Sequence, residues 1–404
     1  MIRSPIFITR RDFHESPYDF TDSSIKQIIE VLVDAFGAIG ISIQSLKGKR
    51  IVIKPNLVRP GREYGPGVTT DPRVVAAVCA ICRDGEADDV LVGDDPGWGL
   101  ASKTAYTAWD CEEVINAYGG RFVPFDDPDR YVVHVSDNVF MRDISLPGVL
   151  RNADVFINIP KMKTHILTGV SLGIKNLHGL VCDDDRMIFH RDDVEMKLVD
   201  ILSARPPDIT VVDGIQALEG QAPLYGKLVP GMNTVIAGAN PVATDAVATT
   251  VMGFDPQSIT HLREASRRGL GSISVNEMKI LGGSISDIKR GFRPAVLSSV
   301  AVYEGITVIE GGADSGIRSS LRHAVDRLEK EGFFDNGIPS TVLIGSFHCD
   351  SLPVIETPDV WLMGDRAGEI ASYLPDAHRI HFIPGDPPHI FDFYHAYTTW
   401  LSEM

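Results

Sequence analysis

The sequence has few cysteines and no long hydrophobic run. Its 404 residues include five cysteines, a sparse and odd-numbered set that favours reduced intracellular thiols over a disulfide framework. The longest uncharged apolar run covers nine residues, 74–82, whereas a helix that crosses a bilayer needs about 18. Arg3, Arg10 and Arg11 interrupt the first apolar stretch, which predicts no secretory leader. We therefore expect a cytoplasmic protein that does not span a membrane.

Basic residues and familiar catalytic motifs are also scarce. Lys and Arg number 38 against 54 Asp and Glu, so the net charge of −16 repels a phosphate backbone and disfavours nucleic acid as a partner. The chain has no Gly-x-Gly-x-x-Gly after a strand, no His-Glu-x-x-His, no Gly-x-Ser-x-Gly and no paired-cysteine zinc signature. Nucleotide-hydrolysis and serine-hydrolase functions are thus without support.

Helical and β-branched segments alternate along the first three quarters of the chain. Helical periodicity covers residues 25–36, 71–83 and 105–118, and short β-branched runs cover 50–54, 90–93, 155–159, 209–212 and 234–237. This alternation predicts an α/β fold with a mainly parallel sheet and helices on both faces. Three further runs, 121–124, 131–135 and 139–144, have no helix between them and predict an antiparallel insertion.

A second alternating set follows a break at residues 291–294. Its predicted strands are 306–309, 341–344, 360–363 and 379–383, and a helix is predicted over 315–331. We therefore expect a large α/β ligand-binding domain over residues 1–295 and a smaller α/β domain over 296–404.

Polar side chains follow the predicted strands of the first domain. They are Lys54, Asn56, Asp94, Asn158, Lys161, Asp213 and Asn240. In an open parallel sheet, ligands bind beyond the carboxyl ends of the strands, so these residues are predicted to line one ligand site. Turn chemistry alone would explain Asp213 and Asn240, which precede Gly and Pro, but not Lys54 or Lys161.

A basic cluster adds to this site. Residues 151–182 contain four basic residues and one acidic residue, against the overall charge of the chain. A helix predicted to start near Thr168 would put Lys175 and His178 on one face, after Lys163 and His165. Cations beside a helix N-terminus are typical of a site for a small carboxylate or phosphate anion. A solvated basic loop is the alternative.

Six motifs make the chain resemble the domain-of-unknown-function 362 family over about residues 49–256. They are residues 54–56, 69–72, 160–165, 175–179, 213–214, and 240–243 with Asp245. Relatives often carry a ferredoxin-like cysteine cluster after this domain. Here only Cys349 follows Cys182, so we expect no iron–sulfur cluster. Because the family is uncharacterised, the resemblance supports the motifs but does not imply a particular reaction.

Two hypotheses for the function follow. The first is an enzyme of the isomerase or lyase type that transfers a proton on a small anion, with Lys175 or Lys163 as base and His165 or His178 as acid. In this hypothesis, loss of Lys175 is expected to damage function most. The second is a non-catalytic accessory protein that binds a ligand or metal in a redox system. A redox partner protein and a homo-oligomer both stay open.

The cofactor is not determined by the sequence. Asp183, Asp184, Asp185, His190, Asp192 and Asp193 form an acidic segment that could bind a divalent metal. A solvated acidic loop is the simpler interpretation of the same residues.

Overall fold

The computed structural model describes residues 4–13, 16–97, 99–182, 185, 194–296, 303, 305–334, 338–349 and 354–403. Of the acidic segment considered as a metal site, all but Asp185 lies outside the described residues. The chain divides into two compact units. The first comprises Met1–Arg186 and Glu195–Ala295, and the second comprises Met187–Val194 and Val296–Met404. In the described part of the chain, no helix is both long and apolar enough to cross a membrane.

The first unit is built on strands that form one large sheet and a separate hairpin. The strands are β1 (Pro5–Arg10), β2 (Arg50–Pro55), β3 (Asp89–Val92), β4 (Arg121–Phe122), β5 (Arg130–His134), β6 (Asp143–Pro147), β7 (Val155–Ile159), β8 (Lys161–His165), β9 (Gly169–Ser171), β10 (Ile209–Glu219), β11 (Lys227–Val229), β12 (Thr234–Gly238) and β13 (Lys279–Leu281). The helices are α1 (Asp22–Ala38), α2 (Pro72–Asp84), α3 (Ser102–Trp109), α4 (Glu112–Ala117), α5 (Gly173–Asn176), α6 (Val194–Ala204), α7 (Pro241–Val251), α8 (Thr260–Arg267) and α9 (Ile285–Ile288).

The large sheet has 11 strands among the described residues, in the order β13-β1-β12-β10-β7-β2-β3-β4. Off this row, β8 and β11 each pair with β10, and β9 pairs with β8. Neighbours along the row are parallel except that β12 runs antiparallel to both β1 and β10. The mainly parallel α/β fold expected from the sequence is therefore confirmed, with one reversed strand in the interior of the sheet. This reversal changes where residues after β12 lie.

Helices cover both faces of this sheet. Ile51, Ile53 and Val211 belong to a buried cluster with residues of α1 and α2 on one face. On the other face, an added Cβ at Gly173 in α5 would touch both Thr210 of β10 and Asp245 of α7. Strands buried on both faces carry the continuous apolar runs that are seen here in β2, β3 and β7.

The second unit contains four parallel strands in sequential order. They are β14 (Ile306–Gly311), β15 (Ser340–Gly345), β16 (Asp359–Met363) and β17 (Arg379–Ile383), accompanied by α10 (Ser315–Lys330), α11 (Asp365–Gly368) and α12 (Asp392–Ser402). Alternate side chains of β16 enter different cores. Trp361 and Met363 pack with α10 and α12, whereas Val360 and Leu362 pack with α11. This period of two is what a strand buried on both faces requires.

Three local expectations need correction. The single helix expected over residues 105–118 is broken at Asp110, whose φ of 53° is left-handed, so α3 and α4 are separate. The run at 121–124 contributes β4 to the parallel edge of the large sheet, and only β5 and β6 form the antiparallel insertion. The strand expected over 209–212 continues through Gly214 to Glu219, so Asp213 lies inside β10.

Candidate functional site

The centre of the candidate site is the strand β8, which follows β7 after one residue, Pro160. β7 pairs with the start of β10, and β8 then pairs in parallel with the same strand further along. Because side chains alternate across a strand, Lys161, Lys163 and His165 share one face, while Met162 and Thr164 share the other. All five are buried. Three basic side chains are thereby lined up on one face inside the protein.

Lys161 is held by an ion pair. Its Nζ lies 2.8 Å from Oδ2 of Asp213, its neighbour in register on β10, and both side chains are fully buried. The same Oδ2 accepts the main-chain N–H of Asp71 at 2.7 Å, and Asp71 in turn pairs with the buried Arg73 at 2.7 Å. Desolvation raises the pKa of Asp71 and Arg73 opposes this rise. The amine of Lys161 is therefore neutralised by the protein's own carboxylate.

Lys54 is neutralised in the same way. Its Nζ lies 2.5 Å from Oδ1 of Asp94, with both side chains buried, and Oδ2 of Asp94 accepts the main-chain N–H of Leu57 at 2.7 Å. The sequence indicates no acidic partner for Lys54 or Lys161, yet each has one in the structure. Their partners come from other strands, so they are distant in sequence but adjacent in space.

A chain of asparagine side chains connects the ends of β2 and β7 to α5. Asn56 Nδ2 donates to Asn176 Oδ1 at 3.0 Å, and Asn176 Nδ2 donates to Asn158 Oδ1 at 2.8 Å. Asn158 Nδ2 then donates to the main-chain oxygen of Gly173 at 2.9 Å. Asn56 and Asn158 were expected from the sequence, whereas Asn176 was quoted only as part of a motif. Together they fix α5 against the strand ends.

Lys163 differs from the other two strand-end lysines in its acceptors. Its Nζ donates to Asn56 Oδ1 at 3.1 Å and to the main-chain oxygen of Val68 at 2.5 Å, and within the described residues it forms no ion pair. Burial lowers the pKa of Lys163 well below its usual value, and the charges of Lys175 and Lys161 lower it further. Such an environment favours the free amine, which is the reactive form of lysine.

The two histidines occupy different elements. Nδ1 of the buried His165 accepts the main-chain N–H of Leu167 at 3.1 Å, so the ring proton of the neutral form is on Nε2. His178 is buried in the 3₁₀ turn Leu177–Leu180, and Lys175 is half-buried in α5. Lys175 is close enough for its charge to act on Lys163. Lys163 and Lys175 therefore belong to one electrostatic environment.

The prediction that a helix starts near Thr168 is wrong. Residues 169–171 form β9, which pairs with β8, so Ser171 does not share a helix face with Lys175 and His178. The helix starts at Gly173. Its first free amides, those of Gly173 and Ile174, each donate at 2.8 Å to the buried carboxylate of Asp245. The expected anion site at this helix end is thus already filled from within the protein.

Asn240 is not at this edge of the sheet. In the register of β12 and β10, Gly238 lies opposite Thr210, so the reversed strand delivers Asn240 toward the beginning of β10 rather than its end. There Asn240 caps α7 by accepting the N–H of Ala243 at 2.9 Å. The prediction that it lines the site is wrong because it took β12 as parallel.

A cleft opens beside β8. It encloses about 220 Å³ of space, including some open to solvent, and is lined by Pro17, Tyr18, Gly65, Pro66, Gly67, Thr69, Thr70, Asp71, Pro72, Lys161 and Gln216. Two of these residues, Gly67 and Thr69, flank the Val68 carbonyl that binds Lys163. Among the described residues, no group of three or more His, Cys, Asp or Glu side chains could hold a metal ion.

Several of the residues that shape the site were not assigned from the sequence. Residues 161–165 alternate basic and uncharged side chains, a period of two that predicts a strand and could have shown their common face. Asn176, Asp71 and Asp245 lie in the quoted motifs, yet nothing in those motifs indicates their partners. The Val68 carbonyl leaves no sequence signal, since every residue has one.

Comparison with known proteins places this site within a family. Residues 51–250 match the family model described as Domain of unknown function (DUF362). Over 326 residues the chain is 28% identical to a thylakoid-associated protein of Synechocystis sp., an alignment that covers 76% of this chain and 92% of that relative.

A solved structure also aligns with the chain. It is the lactate racemase apoprotein from Thermoanaerobacterium thermosaccharolyticum, with a TM-score of 0.40 and 11% identity, covering 95% of this chain and 84% of that one. The sequence match thus confirms the family resemblance over residues 51–250, which match the family model described as Domain of unknown function (DUF362).

Proposed function

We propose that the first unit is an enzyme that binds a small carboxylate-bearing anion and transfers a proton to or from it, as an isomerase or lyase does. One observation carries this proposal. Lys163 is a fully buried amine held by two neutral oxygens, with two further lysines close enough to lower its pKa. A lysine whose pKa is lowered toward neutral pH is suited to act as a general base.

The other lysines have different parts in this proposal. Lys54 and Lys161 are paired with carboxylates, so they organise the strand ends. Lys175, half-buried in α5, supplies the positive charge that attracts the anion. Of the two lysines considered as the base, Lys175 and Lys163, this proposal selects Lys163.

His165 is the proposed acid. Its Nδ1 accepts a main-chain N–H, so Nε2 carries the proton of the neutral ring and can donate it. His165 and Lys163 lie on the same face of β8, two residues apart, which is about 7 Å along a strand. A base and an acid at that separation can act on two ends of one small molecule.

Proton transfer can be tested without knowing the substrate. The purified protein is incubated in D₂O with 2-hydroxy, 2-oxo and 2-amino carboxylates, and loss of the α-hydrogen signal is followed by NMR. We expect exchange with at least one class, and Lys163→Met should reduce its rate by about 10²–10⁴-fold, the usual contribution of a general base. Lys47→Met, at an exposed surface lysine, is the matched control and should exchange like the wild type.

The accessory-protein hypothesis predicts a different result. Binding of a carboxylate, detected by calorimetry, without α-hydrogen exchange in any compound would favour a protein that holds or delivers a ligand to a redox partner. Metal analysis of the same preparation tests whether the purified protein contains a divalent metal ion. If the protein shows no binding and no exchange, both functions are contradicted.

For the cellular location of the protein we propose the cytoplasm, to be checked by fractionation.

A further inference from the structure

The hydrogen bonds of Lys163 match the donors of a neutral amine. An ammonium group has three N–H donors, whereas a neutral amine has two donors and one lone pair. Within the described residues, Nζ has two acceptors, Asn56 Oδ1 at 3.1 Å and Val68 O at 2.5 Å. A neutral amine satisfies both acceptors and keeps its lone pair. A buried ammonium would have one N–H left without an acceptor among these residues, which is unfavourable.

We propose that Lys163 uses this lone pair to form an imine with the carbonyl carbon of a small 2-oxo acid. This deepens the proposed function and rests on it, since it names the substrate class of the same site. A ketone or aldehyde carbon is the electrophile that a neutral amine attacks. A carboxylate next to that carbonyl suits the positive charge of Lys175, which acts on Lys163.

The chemistry balances without an oxidant or reductant. The lone pair of Nζ forms a bond to the carbonyl carbon, and the oxygen takes up the electrons of the C=O π bond. The two amine hydrogens then leave with that oxygen as water, which gives a C=N bond. Addition of one proton to the nitrogen, with His165 as the donor, gives an iminium ion. That ion draws electrons from the neighbouring C–H bond, so the α-hydrogen becomes acidic enough to be lost to water. In this form Lys163 acts as the nucleophile that activates the substrate, and not as the general base.

The cleft beside β8 lies next to the backbone segment that binds Nζ. Gly67 and Thr69 line the cleft, and Val68 between them provides the carbonyl that binds Nζ. Lys161, two residues before Lys163 on the same face of β8, lines it too. Because Lys163 itself is buried, a ligand in this cleft would reach Nζ by displacing the Val68 carbonyl. Gly65 and Gly67, with φ of +81° and +89°, allow backbone conformations that other residues resist.

Reductive trapping tests the imine directly. The full-length protein is incubated with pyruvate and cyanoborohydride, which reduces an imine to a stable amine, and the modified peptide is identified by mass spectrometry. We expect one reduced pyruvate adduct on Lys163, formed at a pH where exposed lysines do not react. Acetone, which lacks the carboxylate, should give much less adduct. An adduct confined to surface lysines, or equal labelling by acetone, would overturn the proposal.

Two variants serve as controls. Lys163→Met should lose the adduct and Lys47→Met should keep it, with folding checked by circular dichroism. If Lys163→Met does not fold, peptide mapping of the wild type still decides the result. α-Hydrogen exchange without a trapped adduct would refute the imine and leave the proton-transfer function standing. An adduct without exchange would support the imine and contradict that function. If neither an adduct nor exchange is observed, both the imine and the proton-transfer function are rejected.

Discussion

Gly179 shows how closely the backbone packs around the buried Lys54–Asp94 ion pair. A Cβ at this position would stand closer than van der Waals contact to Asp94 Oδ1 and only 2.8 Å from Lys54 Nζ. The main-chain oxygen of Gly179 also accepts the N–H of Asp95 at 3.3 Å, so the turn has little freedom to retreat. A side chain here must therefore push the ion pair apart.

We predict that Gly179→Ala lowers the free energy of unfolding by about 1–3 kcal/mol, the usual cost of an overpacked core, and more if the ion pair breaks. Gly37→Ala is the matched control, because its Cβ would meet nothing within 4 Å in the helix α1. That substitution should be neutral or stabilise the protein by up to about 1 kcal/mol. Urea denaturation measures both variants, and equal stabilities would contradict the packing around Gly179.

For individual residues, the sequence identified the important side chains more reliably than it identified their interaction partners. Lys54, Asp94, Lys161 and Asp213 were all expected in one site, yet as ligand-binding groups and not as two ion pairs. Pairing depends on strand register, because Lys161 meets Asp213 only when β8 and β10 align as they do. A residue pattern without the register cannot show which charges are neutralised.

Among the elements, the short helix α5 depends on one carboxylate from α7. Asp245 accepts both first amides of α5 and is fully buried, and burial raises its pKa from 3.8 to about 7. The main-chain hydrogen bonds oppose this rise but do not cancel it. Above that pKa the turn is held by a buried charge, and below it by a protonated carboxyl.

This shift predicts a pH dependence with a definite sign. A carboxyl whose pKa is raised on folding stabilises the folded state fully below its unfolded pKa, and this contribution is lost as pH rises through the folded value. The wild type should thus lose stability relative to Asp245→Asn between about pH 4 and about pH 7, by of order 4 kcal/mol. Chemical denaturation at several pH values measures this difference. A difference that stays constant over the range would refute the raised pKa.

The elements also show where sequence patterns lose information. Helical periodicity located α1 and α2 within a few residues, and β-branched runs located β3 and β7. The same reasoning missed β9, because three residues, Gly169–Ser171, are too few to show any period. It also took β12 as parallel to its neighbours, because a strand's own residues do not record the direction of the strands beside it.

Across the whole molecule, the thiols are divided between the interior and the surface. Cys79, Cys82 and Cys111 are buried, Cys182 is intermediate and Cys349 is exposed. Burial raises the pKa of Cys82 to about 12 and the pKa values of Cys79 and Cys111 well above the usual range. Thiolates are the reactive form, so the three buried thiols are expected to be inert.

We predict that iodoacetamide alkylates Cys349 quickly and Cys182 slowly in the native protein, and all five cysteines after denaturation. Peptide mass spectrometry at increasing times gives the order of labelling. Rapid native labelling of Cys79 or Cys82 would contradict their burial in α2. The same measurement shows whether this pair, which matches Cys-x-x-Cys, has any accessible thiol chemistry.

The architecture of the whole chain was the most predictable feature. Alternating helical and β-branched segments are a property of the covalent sequence, and both α/β sheets follow from it. The site was less predictable because its chemistry depends on contacts between residues far apart in sequence, such as Lys163 with the Val68 carbonyl, 95 residues away. Periodicity records burial along the chain and does not record such contacts.

The single residue between β7 and β8 places a constraint on insertions and deletions in this family. Removing or adding one residue at Pro160, while the pairing with β10 is kept, would turn every side chain of β8 to the opposite face. Lys161, Lys163 and His165 would then exchange places with Met162 and Thr164. Substitutions here change one group at a time, whereas a change of length inverts the whole site. Among natural relatives, spacing at this point should therefore vary less than residue identity.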